Sequence, residues 1–206
     1  MASVQNEGEE MEAGGDESDD SGVWQPPFAE VEDENGNTPF PVGTLSEISS
    51  HVKTTVSTTK KMIDFLKLDS SSVFIDVGCG VGAVSNVVAQ EVQCRVLGLD
   101  FCENEIVGAQ KAAKDLGVEN VVSYVCADMF TLPQLIEERG YDLSKTFLYM
   151  YLIPKQIGRK ELREMCEGLM KQGAKVVTFT YHPPFWSKHV KDDTYDLRVY
   201  DFAGTE

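Results

Sequence analysis

With 206 residues, 42% of them hydrophobic, the chain has the size of one domain plus an appended segment and enough apolar side chains for a core. Acids outnumber bases 34 to 18, and thirteen of those acids fall in residues 1–52, which hold no Lys or Arg. Such a balance excludes nucleic acid as a generic partner, because a phosphate backbone needs cations to neutralise it. It is also the opposite of an Arg-rich transit peptide, and no apolar run approaches the ~20 residues of a membrane span.

In chain order, residues 1–43 read as an acidic tail. A self-repelling segment that buries little is expected to be disordered, to solubilise the chain and to offer a surface to a basic partner. Ser18 and Ser21 lie among its acids as candidate phosphorylation positions. Residues 44–206 form the expected domain. Thr44-Leu45-Ser46-Glu47 has capping-box spacing and would start a helix at Leu45. Val56, Met62, Ile63, Phe65, Leu66 and Leu68 supply the apolar face of a second helix, which stops at Asp69-Ser70-Ser71-Ser72.

A regular alternation then begins. Strands are expected at Val73–Val77, Arg95–Asp100, Val121–Cys126, Thr146–Leu152 and Lys175–Tyr181. Helices are expected between them at Val81–Glu91, Glu103–Leu116, Leu132–Arg139 and Lys155–Lys171, and a last strand at Tyr195–Phe202. Short apolar strands alternating with helices predict an α/β fold, a mostly parallel sheet with helices on both faces. The five cysteines are scattered and form no C-x-x-C pair, which points to buried free thiols and to no metal site.

Sheets of this kind bind ligands beyond the carboxyl ends of their strands. After the first strand comes Asp76-Val77-Gly78-Cys79-Gly80-Val81-Gly82, a turn in which Gly78, Gly80 and Gly82 would let a ligand approach bare backbone. A carboxylate at its mouth suits a ligand with positive charge better than a pyrophosphate. Asp100 ends the second strand, 22 residues beyond Gly78, where an acid can accept both hydroxyls of a ribose. Asp128-Met129 follows the third strand. This pair could accept from an exocyclic amino group and cover an aromatic ring. Gly78-x-Gly80-x-x-Ala83 also fits a loose dinucleotide fingerprint, so an oxidoreductase is the rival reading. Asp76 faces the wrong charge for that ligand, and Asp128-Met129 would have no duty.

On these residues the chain resembles the seven-strand S-adenosylmethionine-dependent methyltransferases, over about residues 57–202. The resemblance implies a Rossmann-like fold and S-adenosyl-L-methionine as cofactor. Gly78, Gly80 and Gly82 would line it, Asp76 would hold the methionine end, Asp100 the ribose and Asp128 the adenine amino group. Met129 would lie against the ring, with Cys102 packed on the adenine.

A narrower resemblance is carried by Tyr151-Leu152-Ile153-Pro154, by Pro183-Pro184-Phe185-Trp186 and by Tyr195 to Tyr200. These are similar to the small protein-lysine N-methyltransferases that include enzymes acting on the ATP synthase c subunit and the adenine nucleotide translocase. That family usually has Gly-Asp-Gly-Arg where this chain has Gly80-Val81-Gly82-Ala83, and its mitochondrial members carry a membrane anchor where this chain has an acidic segment. The implied reaction is methyl transfer to a protein lysine, with Tyr151 and Trp186 as aromatic walls of a lysine channel; the acidic N-terminal segment points to the cytoplasm, with the nucleus second, rather than to the mitochondrion. Phe147 to Pro154 contains no His or Lys to serve as a general base, and the chemistry asks mainly for an amine held in line with water excluded. The alternatives are a small-molecule N- or O-methyltransferase and a non-catalytic methyltransferase-like module.

Overall fold

The computed structural model describes residues 54–192 and 196–204. The acidic segment 1–43 and the helix expected at Leu45 lie outside them. The first described helix, α1 (Val56–Leu66), is capped by the Thr55 side chain, which accepts from the Thr58 N–H, and it ends at Lys67 in the left-handed region. From there strands and helices alternate: β1 (Val73–Val77), α2 (Ala83–Val92), β2 (Arg95–Asp100), α3 (Glu103–Leu116), β3 (Val122–Cys126), α4 (Leu132–Glu138), β4 (Thr146–Met150), α5 (Pro154–Ile157), α6 (Lys160–Met170), β5 (Lys175–Phe179), β6 (Val190–Asp192) and β7 (Leu197–Tyr200).

The seven strands run in the order β3-β2-β1-β4-β5-β7-β6. The first five are parallel, and β7 is antiparallel to both β5 and β6. All five residues of β1 are buried, which accounts for the unbroken apolar character of Val73 to Ile75. Strand order reverses between β1 and β4, and the crevice at such a point lies beside the glycine turn that follows β1.

The two faces carry separate cores. Phe74, Val96, Tyr149 and Val177 pack under α1, α2 and α3, with Met62, Val88 and Ala109 among the helix contributions. Ile75, Leu97, Leu148 and Val176 pack under α4, α5 and α6, with Leu132, Ile157 and Cys166. Period-two alternation along each strand therefore assigns every side chain to one face.

β4 and β5 end two residues before the expected Leu152 and Tyr181, the last strand is confined to Leu197–Tyr200, and two further expectations change. The single helix over Lys155–Lys171 is two, because Arg159 is extended (ψ 138°) and lays its guanidinium 4.8 Å from the centre of the Phe130 ring. The closing edge contains a further strand, β6, whose three residues are too short to leave a periodic pattern.

Tyr124 explains two of the glycines. Its ring rises from β3 into the space under the turn, and a Cβ on Gly98 would come within 2.5 Å of it. A Cβ on Gly82 would overlap the Tyr124 hydroxyl and stand 3.0 Å from Ala109, and Gly82 has φ +73° as the cap of α2. Gly117, with φ +68°, has nothing within 4 Å. Gly82→Ala should therefore cost about 2–4 kcal/mol, from backbone strain plus overpacking, whereas Gly117→Ala should cost about 1–2 kcal/mol from strain alone. Urea unfolding of the two variants measures the difference; equal losses would contradict the packing role of Gly82.

Candidate functional site

The turn after β1 is bent over the end of β2. The N–H groups of Gly78 and Cys79 both donate to the Leu99 carbonyl, at 2.8 and 3.0 Å. Gly78, Gly80 and Gly82 all have positive φ (80°, 51° and 73°), which gives a second reason for three glycines besides open access. Gly78 also abuts Leu152, whose side chain would stand 3.1 Å from an added Cβ. The segment leaving β4 thus borders the turn.

Asp100 joins these parts. Its Oδ2 accepts from the Gly80 N–H at 3.0 Å and its Oδ1 from the Cys102 N–H at 2.9 Å. Its carbonyl accepts from Ala127 N–H at 2.9 Å, which draws the exit of β3 alongside. Next in the chain, Asp128 caps the short helical turn Met129–Thr131, its Oδ1 accepting from Phe130 N–H at 2.9 Å. Met129 is half-buried against the α4/α6 core, and Cys102 is half-buried at the start of α3. Gly78, Gly80, Asp100, Cys102, Asp128 and Met129 therefore gather along the carboxyl ends of β1, β2 and β3. Each Asp100 oxygen keeps a second lone pair for a hydroxyl donor.

Asp76 is only 3% exposed, and its Oδ2 accepts from the Ser85 hydroxyl at 2.6 Å. Burial pushes its carboxyl up to about 7, against the lowering effect of Ser85 and with help from the nearby Asp100 charge. Beside it the Tyr124 hydroxyl meets Asn86 Oδ1 at 2.7 Å, and Ser85 and Asn86 are both buried. The sequence reading missed this polar layer. Its signal was present: adjacent Ser85 and Asn86 interrupt an otherwise apolar first turn of α2, opposite a strand that carries an acid.

The two proposed channel walls separate. Tyr151 leaves β4 on the α1–α3 face, where its ring meets Phe179 edge-on at 5.1 Å and stands 6.3 Å from Tyr181. Trp186 lies in the opposite core, 5% exposed, its ring 5.0 Å from that of Tyr200 and tilted 51° to it, and its indole N–H donates to Glu167 Oε1 at 3.1 Å. This corrects the expectation for Trp186: the structure makes it a core side chain tying the loop after β5 to α6, not a partner of Tyr151. Tyr181, 40% exposed, is the aromatic residue that does face Tyr151.

Among the described residues no group of three or more His, Cys, Asp or Glu is placed to hold a metal ion, and no helix is long and apolar enough to cross a membrane. A groove of about 440 Å³ lined by Phe65, Phe147, Lys175 and Lys188 lies at the other end of the strands, away from the glycine turn.

The chain belongs to a methyltransferase domain family: the family model described as a methyltransferase domain matches residues 68–197. It is similar to the sterol 24-C-methyltransferase of Eremothecium gossypii, at 31% identity over 81 residues, covering 38% of this chain and 22% of that protein. It is also similar to the protein-lysine N-methyltransferase EFM4 of Saccharomyces cerevisiae, at 31% identity over 80 residues, 35% of each chain. The chain thus spans about a fifth to a third of the length of these curated relatives. In fold it resembles an RNA methyltransferase from Salinibacter ruber solved with S-adenosyl-L-homocysteine, with TM-score 0.56 and 23% identity, covering 72% of this chain and 92% of that one.

The raised carboxyl of Asp76 has a consequence for stability. Below about pH 4 the acid is protonated in both folded and unfolded chains and contributes nothing. Between about pH 4 and 7 the unfolded chain ionises while the folded one does not, so stability falls, and above 7 the loss is constant. Asp76→Asn keeps an acceptor for Ser85 and removes this dependence. Its stability relative to the parent should rise by about 3–4 kcal/mol between pH 4 and 8. A difference in melting temperature that does not change with pH would contradict it.

Proposed function

We propose that the chain is an S-adenosylmethionine-dependent methyltransferase that acts on a protein lysine side chain. One observation carries the cofactor assignment. Three carboxylates stand at the carboxyl ends of three adjacent strands, Asp76 within β1, Asp100 as the last residue of β2 and Asp128 just past β3, around a turn of three positive-φ glycines, and the middle one, Asp100, is already oriented by two N–H donors. The residues fit the group. Asp100 accepts from the ribose hydroxyls, Asp128 accepts from the adenine amino group, and Met129 and Cys102 cover the adenine ring. The glycine turn leaves room for the methionine portion, with Asp76 beneath it as a buried acid that responds to the charge above. The cofactor supplies an activated methyl group on a sulfonium, so this chain's own residues need only bind, orient and exclude water.

The lysine assignment is supported by the rim beside the turn. Tyr151, Phe179 and Tyr181 form an aromatic edge suited to an alkylammonium group. The likeness to a lysine methyltransferase agrees with it. The second reading, a small-molecule N- or O-methyltransferase, draws on the likeness to a sterol enzyme.

Calorimetric titration with S-adenosylmethionine tests the cofactor reading. Asp100→Ala should weaken binding about tenfold to a hundredfold, about 1–3 kcal/mol, through lost hydrogen bonds to a charged acceptor and a loosened Gly80. No binding by the parent protein would end the methyltransferase reading, and unchanged affinity in the variant would end the role of Asp100. Incubation of a cell extract with methyl-labelled cofactor tests the substrate. Label on a lysine is expected, and label confined to small metabolites would reject it.

A further inference from the structure

The residues that follow β5 form an arrangement that no strand or helix requires. The Tyr181 N–H donates back to the Phe179 carbonyl at 2.7 Å, a three-residue turn with Thr180 at its centre and φ +63°. That is the strained form of the γ-turn, and a β-branched residue is disfavoured there. Across the sheet edge Asp196, at the start of β7, also has positive φ (51°), and its carbonyl receives the Thr180 N–H at 3.4 Å. Two strained non-glycine residues thus face each other immediately beyond the last β5–β7 pair, Phe179 and Leu197. Strain of this kind persists only where its surroundings over-determine it, and it clusters at functional sites.

His182 supplies the determinant. Its Nδ1 stands 2.7 Å from the Thr178 hydroxyl, and Thr178 is fully buried. Its Nε2 lies 3.2 Å from Asp196 Oδ1, close enough to attract but outside full hydrogen-bond geometry. The facing carboxylate favours the proton on Nε2, so Nδ1 accepts from the Thr178 O–H. Burial lowers the imidazole's proton affinity against the pull of Asp196, with Arg198 and His189 adding to the lowering, which favours the neutral form. The imidazole therefore ties residue 178, before the strained turn, to residue 196, on the neighbouring strand, and the turn is clamped between them. The result is the outward presentation of the Tyr181 ring, 6.3 Å from Tyr151 and tilted 33° to it.

We propose that His182 is a positioning residue that clamps the Thr180 turn and thereby sets Tyr181 against Tyr151 as the rim that receives the acceptor amine. This rests on the methyltransferase reading and adds to it a specificity element, Tyr181, and the residue that fixes it. The two rings converge and stand too close to sandwich a cation. An alkylammonium is therefore received over an outer ring face of the pair and not between the two rings. Loss of the clamp lets the turn relax toward an unstrained backbone and carries Tyr181 away, while the cofactor cradle on β1–β3 is untouched.

The test uses the full chain loaded with S-adenosylmethionine, with tyrosine rings isotopically labelled, and n-butylammonium as a probe with the charge and stem of a lysine side chain. In the parent protein the Tyr151 and Tyr181 ring resonances should shift together on titration. His182→Ala should weaken the apparent affinity for the probe at least tenfold while the cofactor affinity stays within twofold. Thr178→Val, nearly isosteric and lacking the hydroxyl, should do the same, and it keeps the test open if His182→Ala does not fold. His182→Asn, which can keep an acceptor near the Nδ1 position, should recover part of the loss. In a Tyr181→Ala background, adding His182→Ala should cause no further loss, because the clamp acts only through that ring; a merely structural histidine would still add its own effect. Equal probe affinity in parent and His182→Ala, or no tyrosine shift in the parent, would overturn the proposal. Failure of cofactor binding in the parent would instead overturn the methyltransferase reading beneath it.

Discussion

Asp100 is the constraint on which the site depends. Its two carboxylate oxygens take the N–H groups of Gly80 and Cys102, and its carbonyl takes that of Ala127. One residue at the end of β2 therefore fixes the turn after β1, the start of α3 and the exit of β3. Hydrogen bonds to an ionised acceptor are stronger than neutral ones, and here they hold glycines that would otherwise sample many conformations. The same carboxylate retains lone pairs pointing outward. A ribose bound there, as proposed, would make cradle and ligand contact one structure, in which neither could be changed without the other.

Beneath that cradle the glycines divide their work. Gly78 allows the chain to fold back onto Leu99 and to pass Leu152, whereas Gly82 leaves the volume that Tyr124 fills. Tyr124 then meets Asn86, and Asp76 meets Ser85, so a polar layer separates the turn from the apolar core. Such a layer is costly to bury unless its members pair. Asp76 responds by holding its proton to about pH 7. A positive ligand above it, such as the proposed sulfonium cofactor, would draw the acid toward ionisation.

Much of this was legible in the residues. The five parallel strands announced themselves by short apolar segments alternating with helical patterns, and Asp76, Asp100 and Asp128 by their places at or just past the strand ends. The strand exits also explain why those three acids could be found without structure: position in a strand fixes position on the sheet edge. What could not be read was which face a loop residue joins. Tyr151 is one residue past β4 and still follows its alternation, so its side was determined. Trp186 is seven residues past β5, after Pro183 and Pro184, where no periodicity survives. Gly158-Arg159 likewise broke a helix whose apolar spacing continued across it, because a long-range contact with Phe130 outweighed local preference.

The displacement of Trp186 clarifies the loop rather than weakening it. Its indole is bonded to Glu167, and Phe185 beside it lies 5.3 Å beneath the Arg163 guanidinium, which itself pairs with Glu167 at 2.7 Å. These contacts fasten the far end of the loop to α6 on one face of the sheet. His182 fastens its near end between β5 and β7. A five-residue stretch held at both ends has little freedom to choose where its first side chain goes. Tyr181, the residue just outside the near fastening, is therefore delivered to the opposite face from Trp186, beside Tyr151. An exposed aromatic ring held this firmly beside a strand-end crevice stabilises nothing in the core. Its placement accords with the proposed rim for the acceptor amine.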